Sequence, residues 1–132
     1  MKIAFVGGKY RGETIHEVYE NIQTAKRVSL DLWRMGYASL CPHLNTSFFD
    51  GAVYDGDDDL WLKGALVMLR RCDLLVLVYG WQGSAGARKE KDHADKWGIP
   101  TFEFPADVEY LKEYAHLNKD ICQPEDTLKE GY

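Results

Sequence analysis

The side chain with the clearest chemical potential is Glu90, in a glycine-rich segment that follows an apolar run ending at Val78. The run predicts a buried strand, and the glycines with Ser84 predict a tight turn that opens a helix. Helical spacing places Glu90 on the inward stripe of that helix, together with Ala87, Ala94 and Trp97. A carboxylate on a buried face costs free energy unless a ligand or a reaction uses it.

Two interpretations of Glu90 fit the residues alone. In one, the backbone N–H groups around Ser84 and Gly86 attract an anion, and the carboxylate behind them acts as a nucleophile or base. In the other, Glu90 is a solvated helix glutamate near the positive end of the helix dipole. The sequence pattern by itself leaves both open.

A second glycine-rich loop, residues 7–12, follows the first predicted strand. It is neither a GxGxxG fingerprint nor a P-loop, because the glycine spacing is wrong and the GK[ST] sequence is missing. It offers close backbone approach, cations and an aromatic ring, which suit a sugar phosphate or a base. These residues are Gly7, Gly8, Lys9, Tyr10 and Arg11. The alternative is a plain strand-to-helix turn with an exposed arginine.

An acidic cluster, Asp57, Asp58 and Asp59, precedes a predicted helix and suits its positive end. A calcium-binding loop is excluded, because leucines occupy the template positions that need glycine and the final glutamate. His43 and His93 lack metal-ligand spacing, and neither a Ser-His-Asp pattern nor GxSxG occurs. The sequence predicts no metal and no cofactor.

Composition excludes several classes of protein. The chain has 132 residues, 45% hydrophobic and 28% charged, which fits one globular domain. The net charge of −5 and the absence of a large basic cluster argue against a duplex nucleic acid as partner. Three widely spaced cysteines argue against a disulfide scaffold or a zinc site. Neither a signal peptide nor a membrane-length apolar run is present, so we expect a cytoplasmic protein.

Strand-like and helix-like segments alternate along the chain. Predicted strands cover residues 2–6, 37–41, 73–79 and 101–104; predicted helices cover residues 14–34, 60–71, 84–97 and 106–116. The first helix carries a capping box, Thr14 with Glu17. The pattern predicts one α/β domain over residues 1–116, Rossmann-like (flavodoxin-like) and doubly wound, with a four- to five-stranded parallel sheet. Residues 117–132 read as a polar tail, and the long loop 43–59 as a lid or site wall.

Several of these segments together resemble a known superfamily over residues 1–104. The matching segments are Ile3 to Gly12, Asn21-Ile22, Ala25, Leu32-Trp33, Gly36, Pro42-His43, Arg71-Cys72-Asp73, Gly80-Trp81, and Ser84-x-Gly86-Ala87-x-x-Glu90. The chain is similar to a small bacterial and phage branch of the nucleoside 2-deoxyribosyltransferase-like superfamily. The superfamily also includes nucleoside 5′-monophosphate N-glycosidases.

The resemblance implies roles for individual residues. It implies that Glu90 is the nucleophile on the anomeric carbon, and that Tyr10 and Arg11 border the nucleotide. It implies that Ser84 and Gly86 bind the 5′-hydroxyl or 5′-phosphate end. The ligand would be a nucleoside or nucleoside monophosphate, and family members often complete the pocket from a second subunit, so we expect a homodimer or higher oligomer.

The sequence departs from the family pattern at two positions. Many active members carry an aspartate eight residues before the position of Asp73, where it helps to protonate the leaving base; this chain has Ala65 there. Lys9 replaces the usual proline or serine, which favours a phosphate. We expect cleavage or exchange of an N-glycosidic bond, with one of Asp57, Asp58 and Asp59 replacing the acid. The alternative is a non-catalytic nucleotide-binding or sensor module.

Overall fold

The computed structural model describes residues 1–50, 52 and 59–117 of the chain. Strands span Ile3–Gly7 (β1), Ala38–Leu40 (β2), Leu74–Val78 (β3) and Thr101–Phe104 (β4). Helices span Ile15–Met35 (α1), Pro42–Asn45 (α2), Asp59–Leu69 (α3), Ala85–Lys96 (α4) and Val108–Tyr114 (α5). A 3₁₀ turn, Trp81–Gly83, precedes α4. Helix α2 and the 3₁₀ turn are too short to leave a periodic signal in the sequence.

The four strands form one all-parallel sheet in the order β2-β1-β3-β4. Phe5 of β1 pairs with Leu40 on one side and Leu75 on the other. The chain leaves β1 towards β2 and later returns to place β3 on the opposite side of β1. The carboxyl end of β1 is therefore the point where the strand order reverses, and ligands bind at this place in such sheets. The predicted α/β doubly wound fold is confirmed.

Helices cover both faces of the sheet. On one face, α1 and α5 pack against β1 and β3 through a cluster that includes Ala25, Leu32 and Leu111. On the other face, α3 and α4 pack through Ala65, Leu69, Ala87 and Ala94 against the opposite side chains of the same strands. Strand β3 is buried along its whole length, as its continuous apolar sequence indicates.

The ends of α1 follow from local sequence. Thr14 accepts a hydrogen bond from the Glu17 backbone N–H at 3.1 Å, and the Glu17 carboxylate accepts one from the Glu13 N–H at 2.6 Å. Gly36 ends the helix with a φ of 104°, a left-handed conformation that favours glycine. The predicted Thr14 cap and terminal glycine are confirmed, whereas the Glu17 carboxylate bonds the N–H of Glu13 and not that of the cap residue Thr14.

The prediction that Trp97 shares the inward stripe of α4 is wrong. Ala87, Glu90 and Ala94 are buried, but 55% of Trp97 is exposed. The helix ends at Lys96, so helical spacing no longer governs the direction of the next side chain. Trp97 instead lies against the Arg70 guanidinium, 5.0 Å from the ring centre.

Among the described residues, no helix is both long enough and apolar enough to cross a lipid bilayer. Residues 118–132, which carry most of the predicted polar tail, lie outside the described part of the chain.

Candidate active site

A cleft of about 540 Å³ opens at the carboxyl ends of β1 and β3. Its described walls are the loop after β1, residues 42–50 at and after α2, helix α3, and the turn that leads into α4. Its lining includes Gly8, Lys9, Tyr10, Arg11, Pro42, His43, Thr46, Asp50, Asp59, Trp61, Leu62, Ala65, Gly83, Ser84, Ala85, Gly86, Ala87, Lys89 and Glu90. The volume is within the range of small-molecule sites.

Glu90 is the buried acid of this cleft. Only 7% of the residue is exposed, and burial raises the pKa of its carboxyl group to about 8. Over the described residues, neither a hydrogen bond nor an ion pair reaches this carboxylate. A buried acid with a strongly raised pKa in a cleft is a recognised sign of a functional group. The prediction that Glu90 faces inward is confirmed.

The glycines at the end of β1 make room for this acid and for the strand beside it. A Cβ atom at Gly7 would lie 3.0 Å from Glu90 Oε1, and one at Gly8 would lie 3.0 Å from Val78 Cβ. Both distances are shorter than an ordinary van der Waals contact. Gly7 therefore supports Glu90 from below, and Gly8 continues the chain into the wall of the cleft.

The turn before α4 presents a helix N-terminus to the cleft. Ser84 caps the helix, and its Oγ accepts a hydrogen bond from the Ala87 N–H at 3.2 Å. A Cβ atom at Gly86 would lie no closer than 3.9 Å to any neighbouring side chain, so packing within the protein does not demand glycine there. The helix start is therefore open to a ligand, and its N–H groups and dipole favour a negative group.

The loop after β1 is held in place from two sides. The His43 ring nitrogen Nε2 lies 3.1 Å from the Lys9 carbonyl oxygen, and burial lowers the pKa of His43. The Asn21 amide donates to the carbonyl oxygens of Tyr10 at 3.0 Å and Arg11 at 3.2 Å. His43 in this position supports the loop, which agrees with the structural role predicted for it.

Tyr10 joins that loop to the wall formed by the chain after α2. Its hydroxyl donates a hydrogen bond to Asp50 Oδ1 at 2.8 Å and accepts one from the Phe48 N–H at 2.8 Å. Burial is the main cause that raises the pKa of the Tyr10 hydroxyl. Phe48 has a φ of 61°, which is unusual for a residue with a side chain. The aspartate is thus tied to the cleft by a contact across 40 positions of sequence.

Most of the residues singled out in the sequence meet in this cleft. Glu90, Asp59, Lys9, Tyr10, Arg11, Gly8, Ser84 and Gly86 line it, and Gly7 packs beneath Glu90. Asp57 and Asp58 lie outside the described residues. Ala65, where the resemblance expects an acid, also lines the cleft.

Other lining residues were missed by the sequence reasoning. They are Thr46, Asp50, Trp61 and Lys89, together with His43, which was given only a supporting role. The length of loop 43–59 was the available signal for Thr46 and Asp50, since long loops often form site walls, whereas Trp61 in α3 and Lys89 in α4 lie outside that loop. Within the described ranges, no group of three His, Cys, Asp or Glu side chains is placed to hold a metal ion.

A family profile described as a domain of unknown function, DUF7768, matches residues 2–104 of the chain. The chain belongs to the DUF7768 family. The match includes all four strands and every residue that lines the cleft, and it ends before α5. Comparison with curated proteins gives no significant match. The part of the chain that matches DUF7768 therefore contains the whole cleft. The function of this domain is inferred from the residues that line that cleft.

Proposed function

We propose that this DUF7768 domain binds a nucleoside or nucleoside monophosphate and cleaves or exchanges its N-glycosidic bond through Glu90. The observation that supports this most strongly is a buried carboxylate, without a described protein partner, at the base of an open cleft. The resemblance of Ser84-x-Gly86-x-x-x-Glu90 to the nucleoside 2-deoxyribosyltransferase-like pattern agrees with that placement.

The proposed reaction is a double displacement at the anomeric carbon. An oxygen of ionised Glu90 attacks C1′ and forms a glycosyl ester, while the C1′–N bond breaks and its electron pair leaves with the base. Water then attacks C1′ and loses a proton, which balances the one taken up by the departed base, and the sugar or sugar 5′-phosphate and the Glu90 carboxylate are released. If a second base attacks in place of water, the product is a new nucleoside or nucleotide. Either outcome retains the configuration at C1′.

The environment of Glu90 suits a transition state with positive charge on the sugar. Burial disfavours the charged form of Glu90, and the positive charge that develops near C1′ favours it again at the moment of attack. The carboxylate is therefore stabilised more in the transition state than before it, which is the condition for catalysis.

The departing base needs a proton or an equivalent hydrogen bond. Ala65 cannot supply one. Asp59, at the first turn of α3, is the nearest acid before it in the sequence and lines the same cleft. We propose that Asp59 assists the departing base, with Asp57 and Asp58 as further candidates from the same cluster.

The second candidate function is a nucleotide sensor that binds without cleavage. Two features favour it: Ala65 lines the cleft where an acid is expected, and burial raises the pKa of Glu90 to about 8, which favours its neutral form. A sensor would need the pocket and the loop after β1, but not the charge of Glu90.

A base-release assay separates the two functions. The full chain is incubated with a panel of nucleosides and 5′-monophosphates, and free base is measured by chromatography. We expect release by the wild type, none by Glu90→Ala, and wild-type release by Glu109→Ala on the distant helix α5. Release of free base by Glu90→Ala at the wild-type rate would refute the proposed mechanism. Binding without release by the wild type would establish the sensor.

A further inference from the structure

The cleft contains a carboxylate, Asp50, that neither the proposed attack nor the proposed proton transfer uses. We propose that Asp50 selects the base, accepting a hydrogen bond from an amino group on its edge, so that the cleft prefers cytosine or adenine over uracil or hypoxanthine. This inference rests on the proposed nucleotide-binding function.

Strand order separates the two walls of the cleft. β2 and β3 flank β1 on opposite sides, so the segments that follow them rise on opposite sides of the loop after β1. The segment after β2 carries Asp50, and the turn after β3 carries the capped start of α4. Glu90 lies at the base between them, where it can face C1′ of a nucleotide that spans both walls.

The wall that carries Asp50 is aromatic. Asp50 is hydrogen-bonded to Tyr10, and the adjacent Phe49 packs edge-on against Trp61 with ring centres 5.5 Å apart. Tyr10 and Trp61 both line the cleft. Aromatic side chains beside a polar acceptor are the usual surroundings of a nucleobase in a protein site.

The opposite wall favours an anion. It presents the N-terminus of a 12-residue helix and the Lys89 side chain. The negative charge of Asp50 disfavours a phosphate on its own wall. The two walls therefore favour a nucleotide with its phosphate towards α4 and its base towards Asp50. Lys9 and Arg11, on the loop between the walls, attract the phosphate without favouring either wall.

The hydrogen bonds that Asp50 can still accept then determine which nucleobase binds in the cleft. An ionised carboxylate only accepts hydrogen bonds, and its Oδ1 already accepts one from the Tyr10 hydroxyl. The remaining capacity fits an N–H donor such as the 4-amino group of cytosine or the 6-amino group of adenine. Uracil and hypoxanthine present a carbonyl oxygen at those positions, which a carboxylate repels.

Isosteric nucleotide pairs test this inference directly. We would measure by calorimetry the affinities of cytidine against uridine 5′-monophosphate, and of adenosine against inosine 5′-monophosphate. In the wild type we expect the amino member of at least one pair to bind about 10-fold to 100-fold more tightly, the discrimination typical of one base contact. Asp50→Asn should reduce that preference to less than about 3-fold, because its amide also donates to a carbonyl.

Matched variants make the result specific. Asp92→Asn, on the exposed side of α4, should keep the wild-type preference, and Tyr10→Phe should weaken it, because the phenol that holds Asp50 is lost. Equal affinities within both pairs in the wild type would overturn the inference, as would an unchanged preference in Asp50→Asn. Failure to bind any of the four nucleotides would overturn it together with the proposed function.

Calorimetry together with the base-release assay distinguishes failure of this inference from failure of the proposed function. Base release without discrimination between paired nucleotides would keep the function and refute the role of Asp50. Discrimination by binding without base release would keep the role of Asp50 and refute catalysis.

Discussion

Gly7 lies directly beneath the Glu90 carboxylate, so close that a Cβ atom at Gly7 would be 3.0 Å from Oε1. The same Cβ would lie 3.2 Å from Leu75 Cδ1 and 3.3 Å from Leu77 Cδ2. The last residue of β1 therefore has no side chain because the acid of α4 and two core leucines occupy that space. The position of the carboxylate is set by the sheet and not only by its own helix.

Gly7→Ala should displace Glu90 and reduce base release more than it reduces nucleotide affinity. Overpacking of this kind costs about 1–3 kcal/mol of the free energy of unfolding. Gly64→Ala is the matched control, because the added methyl meets no atom within 4 Å and alanine favours the helix. Thermal unfolding and base release would be measured for both variants. Wild-type turnover in Gly7→Ala would show that the contact does not position the nucleophile.

Glu90→Gln should change how stability depends on pH. The pKa of Glu90 is about 8 in the folded chain and has its ordinary value of 4.5 when unfolded. The folded state therefore holds a proton that the unfolded state releases between those values. Stability from the neutral buried acid is complete below 4.5 and is lost progressively as pH rises to about 8, by about 1 kcal/mol per pH unit.

Glutamine does not titrate, so Glu90→Gln should lack this loss. Urea unfolding at pH values from 5 to 9 would measure it, with Glu109→Gln as a control at an exposed position. We expect the free energies of unfolding of Glu90→Gln and wild type to diverge towards high pH, with Glu90→Gln the more stable. If the free energies of unfolding of Glu90→Gln and wild type changed in parallel with pH, the raised pKa of Glu90 would be contradicted.

The source of the proton for the departing base can be tested with two sets of variants, one in the acidic cluster and one at Ala65. Replacing Asp57, Asp58 and Asp59 by asparagine should lower base release by about 10²–10⁴-fold, the usual contribution of general acid catalysis. Ala65→Asp should raise release on an ordinary purine or pyrimidine nucleotide. If neither change alters release while nucleotide still binds, the sensor function is the better account. Asp92→Asn provides the control for a change of charge.

His43→Ala should loosen the loop after β1, because the ring no longer supports the Lys9 carbonyl. Loss of a buried hydrogen-bonding partner typically costs about 1–3 kcal/mol, and here we expect weaker nucleotide binding as well as lower stability. His16→Ala, at a position whose side chain is 80% exposed, serves as the control. Calorimetry and urea unfolding would measure the two effects. Unchanged affinity in a destabilised His43→Ala would limit His43 to a role in folding.

The sequence by itself determined the four strands, the long helices and the inward stripe that includes Glu90, but it missed α2 and the 3₁₀ turn and left open whether that acid is used or solvated. The all-apolar Leu74–Val78 run, the capping box of Thr14 and the small residues at helical spacing around Glu90 are local patterns. Local patterns fix strands, helix starts and the inward side of a helix, because each depends only on residues within a turn or two. Helical spacing failed at Trp97, just beyond the end of α4, where the helix no longer sets the direction of the side chain.

Only the tertiary structure decided what surrounds Glu90. Asp50 and His43 reach the loop after β1 across 40 and 34 positions of sequence, and no periodicity encodes either contact. They meet because parallel strands bring their carboxyl ends to one edge of the sheet and because β2 and β3 flank β1. That order depends on how two helical layers pack on opposite faces, which is a property of the whole chain. The acid could therefore be found from its neighbours in sequence, whereas the walls of its cleft required the fold.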